Sequence, residues 1–150
     1  MNDFIKLVAI ITLAVAVFMA GCAIGHKEWP SPDVEQDEFG LKLVKGQRQN
    51  GDCLYLEFYV SGARDRLSFV LLQLEPVGDG PGQGCAECPF MPRQGARLSR
   101  GEAGFTLTNN ILQLSYCGLD PDTEYRFRVV GVNELSNLAL VQTDIYVATP

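Results

Sequence analysis

From Phe39 onward the apolar residues recur at every second position. In CLYLEFYV (residues 53–60), Leu54, Leu56, Phe58 and Val60 share one face, and Cys53, Tyr55, Glu57 and Tyr59 share the other. A period of two suits a strand with one buried side and suits no helix. FGLKL (39–43), ILQLSYCG (111–118), EYRFRVVGVN (124–133) and TDIYVAT (143–149) repeat the pattern, and RLSFVLLQLEPV (66–77) is nearly all apolar. Gly, Pro, Asn and Asp separate these runs and mark turns. No helical period is visible after residue 38. Six or seven short strands of this kind can bury their apolar faces only against one another, so an all-β antiparallel sandwich is predicted.

The chain before Phe39 has a different character. Leu7 to Ala20 is uncharged and, but for Thr12, apolar, roughly 14 residues, which as helix reach about 21 Å against a hydrocarbon core of about 30 Å. That is short for a membrane span and right for the apolar part of a secretory signal, with Lys6 as its positive flank. The segment closes on Ala20-Gly21-Cys22, which resembles the bacterial lipobox, although Met19 stands where Leu or Val is usual. The resemblance implies a signal-peptide helix over 1–21 that is removed, leaving Cys22 as the first residue of a lipoprotein with palmitate-type acyl chains. More than one such chain holds a protein stably on a bilayer. Ala23, rather than Asp, follows the cysteine, which by analogy implies the outer membrane of a bacterial cell envelope, with the protein facing the periplasm. The competing reading is an uncleaved anchor helix.

Residues 22–38 are expected to be an extended acidic tether. Pro30 and Pro32 favour extended chain, while Asp33, Glu35, Asp37 and Glu38 keep it solvated. This carboxylate cluster lacks the glycine turn and alternating oxygen ligands of a calcium loop. Trp29 is expected either at the membrane interface or packed on the domain. The chain has one histidine, His26, and a tether next to a membrane is a poor place for general acid–base work. The net charge of −6 comes with no basic cluster, which excludes nucleic acid as a natural partner. With no nucleophile–base pair, carboxylate dyad or cofactor fingerprint in view, the chain is expected not to be an enzyme and to need neither cofactor nor metal.

The last third is more specific. LDPDTEYRFRVVGVNE (119–134), followed by a final strand that ends on VATP at Pro150, resembles the end of a fibronectin type III domain. The resemblance implies an immunoglobulin-like sandwich over 39–150, with Leu119 plugging its end, Pro121 setting a tight turn, and Tyr125 and Phe127 entering the core. Tyr125 would form the tyrosine corner, its hydroxyl reaching back to a backbone group of the turn. Phe58 stands in place of the family's usual strand-B tryptophan, and the integrin-binding Arg-Gly-Asp is absent. Residues 78–104, GDGPGQGCAECPFMPRQGARLSRGEAG, exceed the normal connection and are expected to be a Gly/Pro-rich surface loop. No strand–turn–helix context makes these glycines a phosphate cradle.

The resemblance also orders the cysteines. An exported domain lies in an oxidising compartment, and in this fold strands B and E are antiparallel neighbours. Cys53 would open strand B and Cys117 would close strand E on the same outward face, so these two are expected to be bridged. Cys85 and Cys88 then join each other within CAEC. A redox pair has this spacing but sits at a helix N-terminus. Haem attachment needs a histidine where Pro89 stands. A four-cysteine zinc site would need loop and sheet to converge, and the spacing does not suit a zinc ribbon.

The functional expectation is therefore a lipid-anchored protein-binding or scaffolding module with an envelope protein as partner. Its candidate surface is Phe69 and Leu71 with Arg126, Arg128 and Val130 beside them, unless the insert folds back over that face. The alternative is a thiol–disulfide or metal-handling accessory protein that uses Cys85 and Cys88.

Overall fold

Strand alternation sends one set of side chains to a shared interior, and two sheets close over it. The computed structural model describes residues 34–150. A single helical turn, α1 (Val34–Asp37), leads into β1 (Phe39–Gln49), β2 (Cys53–Gly62) and β3 (Leu67–Val77). Then come β4 (Gln94–Ser99), β5 (Phe105–Thr108), β6 (Ile111–Cys117), β7 (Glu124–Asn133), β8 (Val141–Gln142) and β9 (Tyr146–Ala148). One sheet has the order β1-β2-β6-β5 and the other β4-β3-β7-β8, with β9 also pairing β7. Every strand pairing is antiparallel. The described residues form an all-β sandwich.

Leu54, Leu56, Phe58 and Val60 of β2, with Leu112 and Leu114 of β6, are buried from one sheet. They meet Val70, Leu72 and Leu74 of β3, and Tyr125, Phe127 and Val129 of β7, from the other. Burying a large apolar side chain contributes about 1.5–3 kcal/mol, so this stack fixes the register of four strands at once. A slip of one residue would turn every one of these side chains outward. The β1–β2 hairpin turns at Asn50 and Gly51, whose φ angles of +54° and +78° are left-handed, a conformation these two residue types tolerate best.

Four features depart from the alternation reading. β1 continues to Gln49, past a bulge between Leu43 and Lys45. That irregularity breaks the period and leaves Val44 exposed. The segment 78–104 is not loop throughout, since it contains β4, of which Gln94, Ala96 and Leu98 lie opposite core residues of β3 and only Leu98 is buried. β5 is a further strand, joined to β6 by the tight turn at Asn109 and Asn110. The last strand, expected over 143–149, is confined to β9, and the two-residue β8 precedes that range.

The packed domain also begins before residue 39. Asn133 Nδ2 donates to the Asp37 carbonyl at 2.7 Å, and Arg66 Nε donates to Asp37 Oδ1 at 2.8 Å. The signal peptide, Cys22, His26 and Trp29 lie outside the described residues. Among the described residues no helix is long and apolar enough to cross a membrane.

Candidate functional site: a buried ion pair under the CAEC loop

Glu75 of β3 lies directly opposite Arg126 of β7. Both belong to the face of their sheet that points away from the core, yet Glu75 is 1% exposed and Arg126 7%. The cover is the start of the insert. The Gly84 amide donates to the Pro76 carbonyl at 2.8 Å and the Gly78 amide to the Gly84 carbonyl at 3.0 Å, laying residue 84 alongside the end of β3. There Gly84 touches the Glu75 carboxylate so closely that a Cβ would stand 2.1 Å from Oε1. Only glycine permits that approach.

Arg126 holds the rest of the roof. Its Nη2 donates to Glu75 Oε2 at 2.5 Å. Its Nη1 donates to the carbonyls of Ala86 at 2.9 Å and Cys88 at 2.6 Å. The Phe90 ring closes the flank, 5.9 Å from the Arg126 guanidinium carbon and 5.2 Å from that of Arg128. Taking two charges out of water is costly unless further hydrogen bonds satisfy them; the loop carbonyls supply those bonds at Arg126 Nη1, while Nε is buried without a partner. The ion pair and the loop therefore hold each other in place.

Within this loop Cys85 and Cys88 are bridged, with the Cys88 amide donating to the Cys85 carbonyl at 3.2 Å. Both cysteines are exposed. The second bridge, Cys53–Cys117, joins directly opposed residues of β2 and β6. It sits on the outer face of the other sheet. One bridge thus ties strands together while the other stiffens a surface loop. Among the described residues, no group of three or more His, Cys, Asp or Glu is placed to hold a metal ion.

The expected contact patch is smaller than strand alternation alone implies. Arg126 is roofed as described, and Val130 is 2% exposed. Phe69, Leu71 and Arg128 are half-buried. Arg97 of β4 lies over the Phe69 ring, 3.9 Å from its centroid. Arg128 donates through Nε to Gln73 Oε1 at 2.6 Å and through Nη1 to Gln142 Oε1 at 3.1 Å. The insert folds back over Glu75 and Arg126 through its first half, and over Phe69 it lays only the Arg97 side chain.

At the β6–β7 corner Leu119 and Tyr125 are buried, and the Tyr125 hydroxyl accepts the Asp120 amide proton at 3.2 Å. Pro121 lies within the turn, which is closed by the Thr123 amide on the Asp120 carbonyl and the Asp122 amide on Asp120 Oδ1. Phe127 is buried against Tyr146, with centroids 5.6 Å apart. Arg48 of β1, not marked out by its local sequence, clamps this corner. Its guanidinium donates to the carbonyls of Thr123 and Asp120, each at 2.7 Å, and also to that of Gly51.

No protein-family model matches the chain, and no curated protein matches it in sequence.

Proposed function

We propose that this chain is an exported sandwich module that presents the Cys85–Cys88 bridge for thiol–disulfide exchange with a dithiol partner. One observation carries the reading: an exposed disulfide sits on a loop whose backbone is gripped by a buried arginine. Exchange needs a sulfur open to in-line attack. Cys85 and Cys88 are both exposed, so water can meet the charge of the departing sulfur, while Arg126 holds the Cys88 carbonyl and keeps the loop in place. A partner thiolate attacks one sulfur of the bridge, the Cys85–Cys88 bond breaks, and a mixed disulfide forms while the freed cysteine takes up a proton. The partner's second thiol then displaces the mixed disulfide. The partner leaves oxidised by two electrons and both cysteines of the loop are reduced. Cys53–Cys117 has no part in this cycle.

Titration with a small dithiol, followed by alkylation and peptide mass analysis, tests the proposal. Cys85–Cys88 should open under native conditions at dithiol concentrations that leave Cys53–Cys117 closed. Cys88→Ser, offered the partner in its disulfide form, should trap it: the Cys85 thiolate attacks the partner's disulfide, one partner thiol is released, and no second loop cysteine remains to displace the mixed disulfide. Both bridges opening together, and only on unfolding, would remove the redox reading.

A second reading is a lipid-anchored binding or scaffolding module of the bacterial envelope. It is favoured by Ala20-Gly21-Cys22 and by the sheet order. With β1, β2, β3, β6 and β7 taken as strands A, B, C, E and F, the pairings β1-β2-β6-β5 and β4-β3-β7 suit a fibronectin type III-like sandwich. The Tyr125–Asp120 bond supports the same assignment. Incorporation of labelled palmitate, lost in Cys22→Ser, tests the anchor; an unlabelled wild-type protein would overturn it.

A further inference from the structure

We infer that the outward face of β4, β3 and β7 docks an acidic polypeptide segment. The inference rests on the binding-module reading and is independent of any redox role for Cys85 and Cys88. The outward positions are Gly95, Arg97 and Ser99 on β4, Phe69, Leu71, Gln73, Glu75 and Val77 on β3, and Glu124, Arg126, Arg128, Val130 and Val132 on β7. Two carboxylates lie on this face: Glu75 is buried and ion-paired with Arg126, and half-buried Glu124 stands opposite Val77 at the start of β7. Arg97 and Arg128 make no ion pair among the described residues, and neither does Arg93, exposed just before β4. The insert carries exposed Asp79, Glu87 and Glu102; Glu102 accepts the Ser99 amide proton at 3.0 Å, and none of the three meets these arginines in an ion pair.

On a chain with a net charge of −6, this sheet thus gathers Arg93, Arg97 and Arg128 with no ion-pair partner among the described residues. An acidic segment would be repelled by most of the surface and drawn to this sheet, so the charge asymmetry orients the encounter as well as strengthening it. Arginine suits the task because its planar fork can take a carboxylate with two parallel hydrogen bonds. Arg97 is already laid flat on Phe69, which fixes one guanidinium before binding and lowers the ordering cost. Half-buried Phe69 and Leu71 add a narrow apolar strip between the charges, and aromatic and arginine side chains together dominate binding hot spots. A strip of two recessed side chains fits an extended peptide better than a bilayer, into which apolar groups must project.

The test measures binding of fluorescently labelled poly-L-glutamate to the full-length protein in neutral detergent, by anisotropy, across a salt series. The wild type should bind with an affinity that falls as salt rises. Arg97→Glu should weaken binding by about tenfold, as should Arg128→Glu. Arg97→Gln, which removes charge without adding repulsion, should give an intermediate loss and guards against a folding artefact. Lys45→Glu, on the other sheet, should change affinity by less than about twofold. No binding at low salt, or an equal loss in Lys45→Glu, would overturn the inference. Arginine-dependent binding to phosphatidylglycerol bicelles without binding to polyglutamate would overturn it in favour of a membrane.

Discussion

Glu75 and Arg126 face each other across β3 and β7 at 2.5 Å, sealed from water on the side of the sheet that an isolated sandwich would leave wet. Removing one partner leaves the other as an uncompensated buried charge, which costs about 3–5 kcal/mol. Arg126→Met should therefore lower the midpoint of chemical unfolding sharply. Adding Glu75→Leu to it should recover most of the loss, because two apolar groups of similar size need no pairing. Denaturant titration of the two single variants and the double variant measures this coupling. Equal midpoints for wild type and Arg126→Met would mean that the pair is hydrated in solution.

Gly84 is the hinge between that pair and the bridge above it. In Gly84→Ala the new methyl must displace the Glu75 carboxylate or lift the loop, since no space remains beside Oε1. Overpacking of this kind costs about 1–3 kcal/mol. The loop should detach first, having the fewer contacts, so Cys85–Cys88 should be reduced faster by a dithiol than in the wild type while Cys53–Cys117 is unchanged. Rates of alkylation after brief dithiol exposure report both bridges in one sample.

The two bridges should differ in their effect on stability. Cys53–Cys117 closes a separation of 64 residues, and loop-closure entropy makes such a link worth about 4 kcal/mol. Cys85–Cys88 spans a separation of three, for which the same reasoning gives about 2 kcal/mol. Replacing Cys53 and Cys117 together by alanine should lower the unfolding midpoint about twice as far as replacing Cys85 and Cys88. Reversed sizes would show that the loop bridge supports the whole domain through Arg126.

Legibility in the sequence followed burial on one side only. Leu54 to Val60, Leu112 and Leu114, and Tyr125 to Val129 alternate because each faces a single core, and those strands and their register could be read directly. The pairing of Cys53 with Cys117 followed from that register once the sheet neighbours were assumed. β4 was hidden because its free edge asks little of its side chains, and glycine and arginine carry no period. Glu75 and Arg126 were legible as outward residues of their strands but not as a buried pair. Their burial comes from residues 84–90, whose path depends on Gly84 and on hydrogen bonds to main-chain carbonyls, and main-chain carbonyls leave no mark in a sequence. Arg48 was hidden for the same reason: all three of its acceptors are carbonyls.

Arg48 makes the last prediction. It ties the β1–β2 turn at Gly51 to the β6–β7 corner at Asp120 and Thr123, and its guanidinium carbon lies 5.7 Å from the Tyr125 ring centroid. Tyr125→Phe removes a single neutral hydrogen bond and should cost about 0.5–1.5 kcal/mol. Arg48→Ala strands several carbonyls at once, each losing a charge-assisted bond worth about 1.5–3 kcal/mol before water replaces it. Partial exposure of the site returns some of that cost, so the net loss should exceed that of Tyr125→Phe while remaining below the sum of its bonds. Amide hydrogen exchange separates a local from a global effect. In Arg48→Ala the amides of Asp120 and Thr123 should exchange faster, whereas those of β3 opposite β4, far from the clamp, should slow or quicken only with overall stability. If the corner amides keep their wild-type protection, the clamp is not what holds the turn.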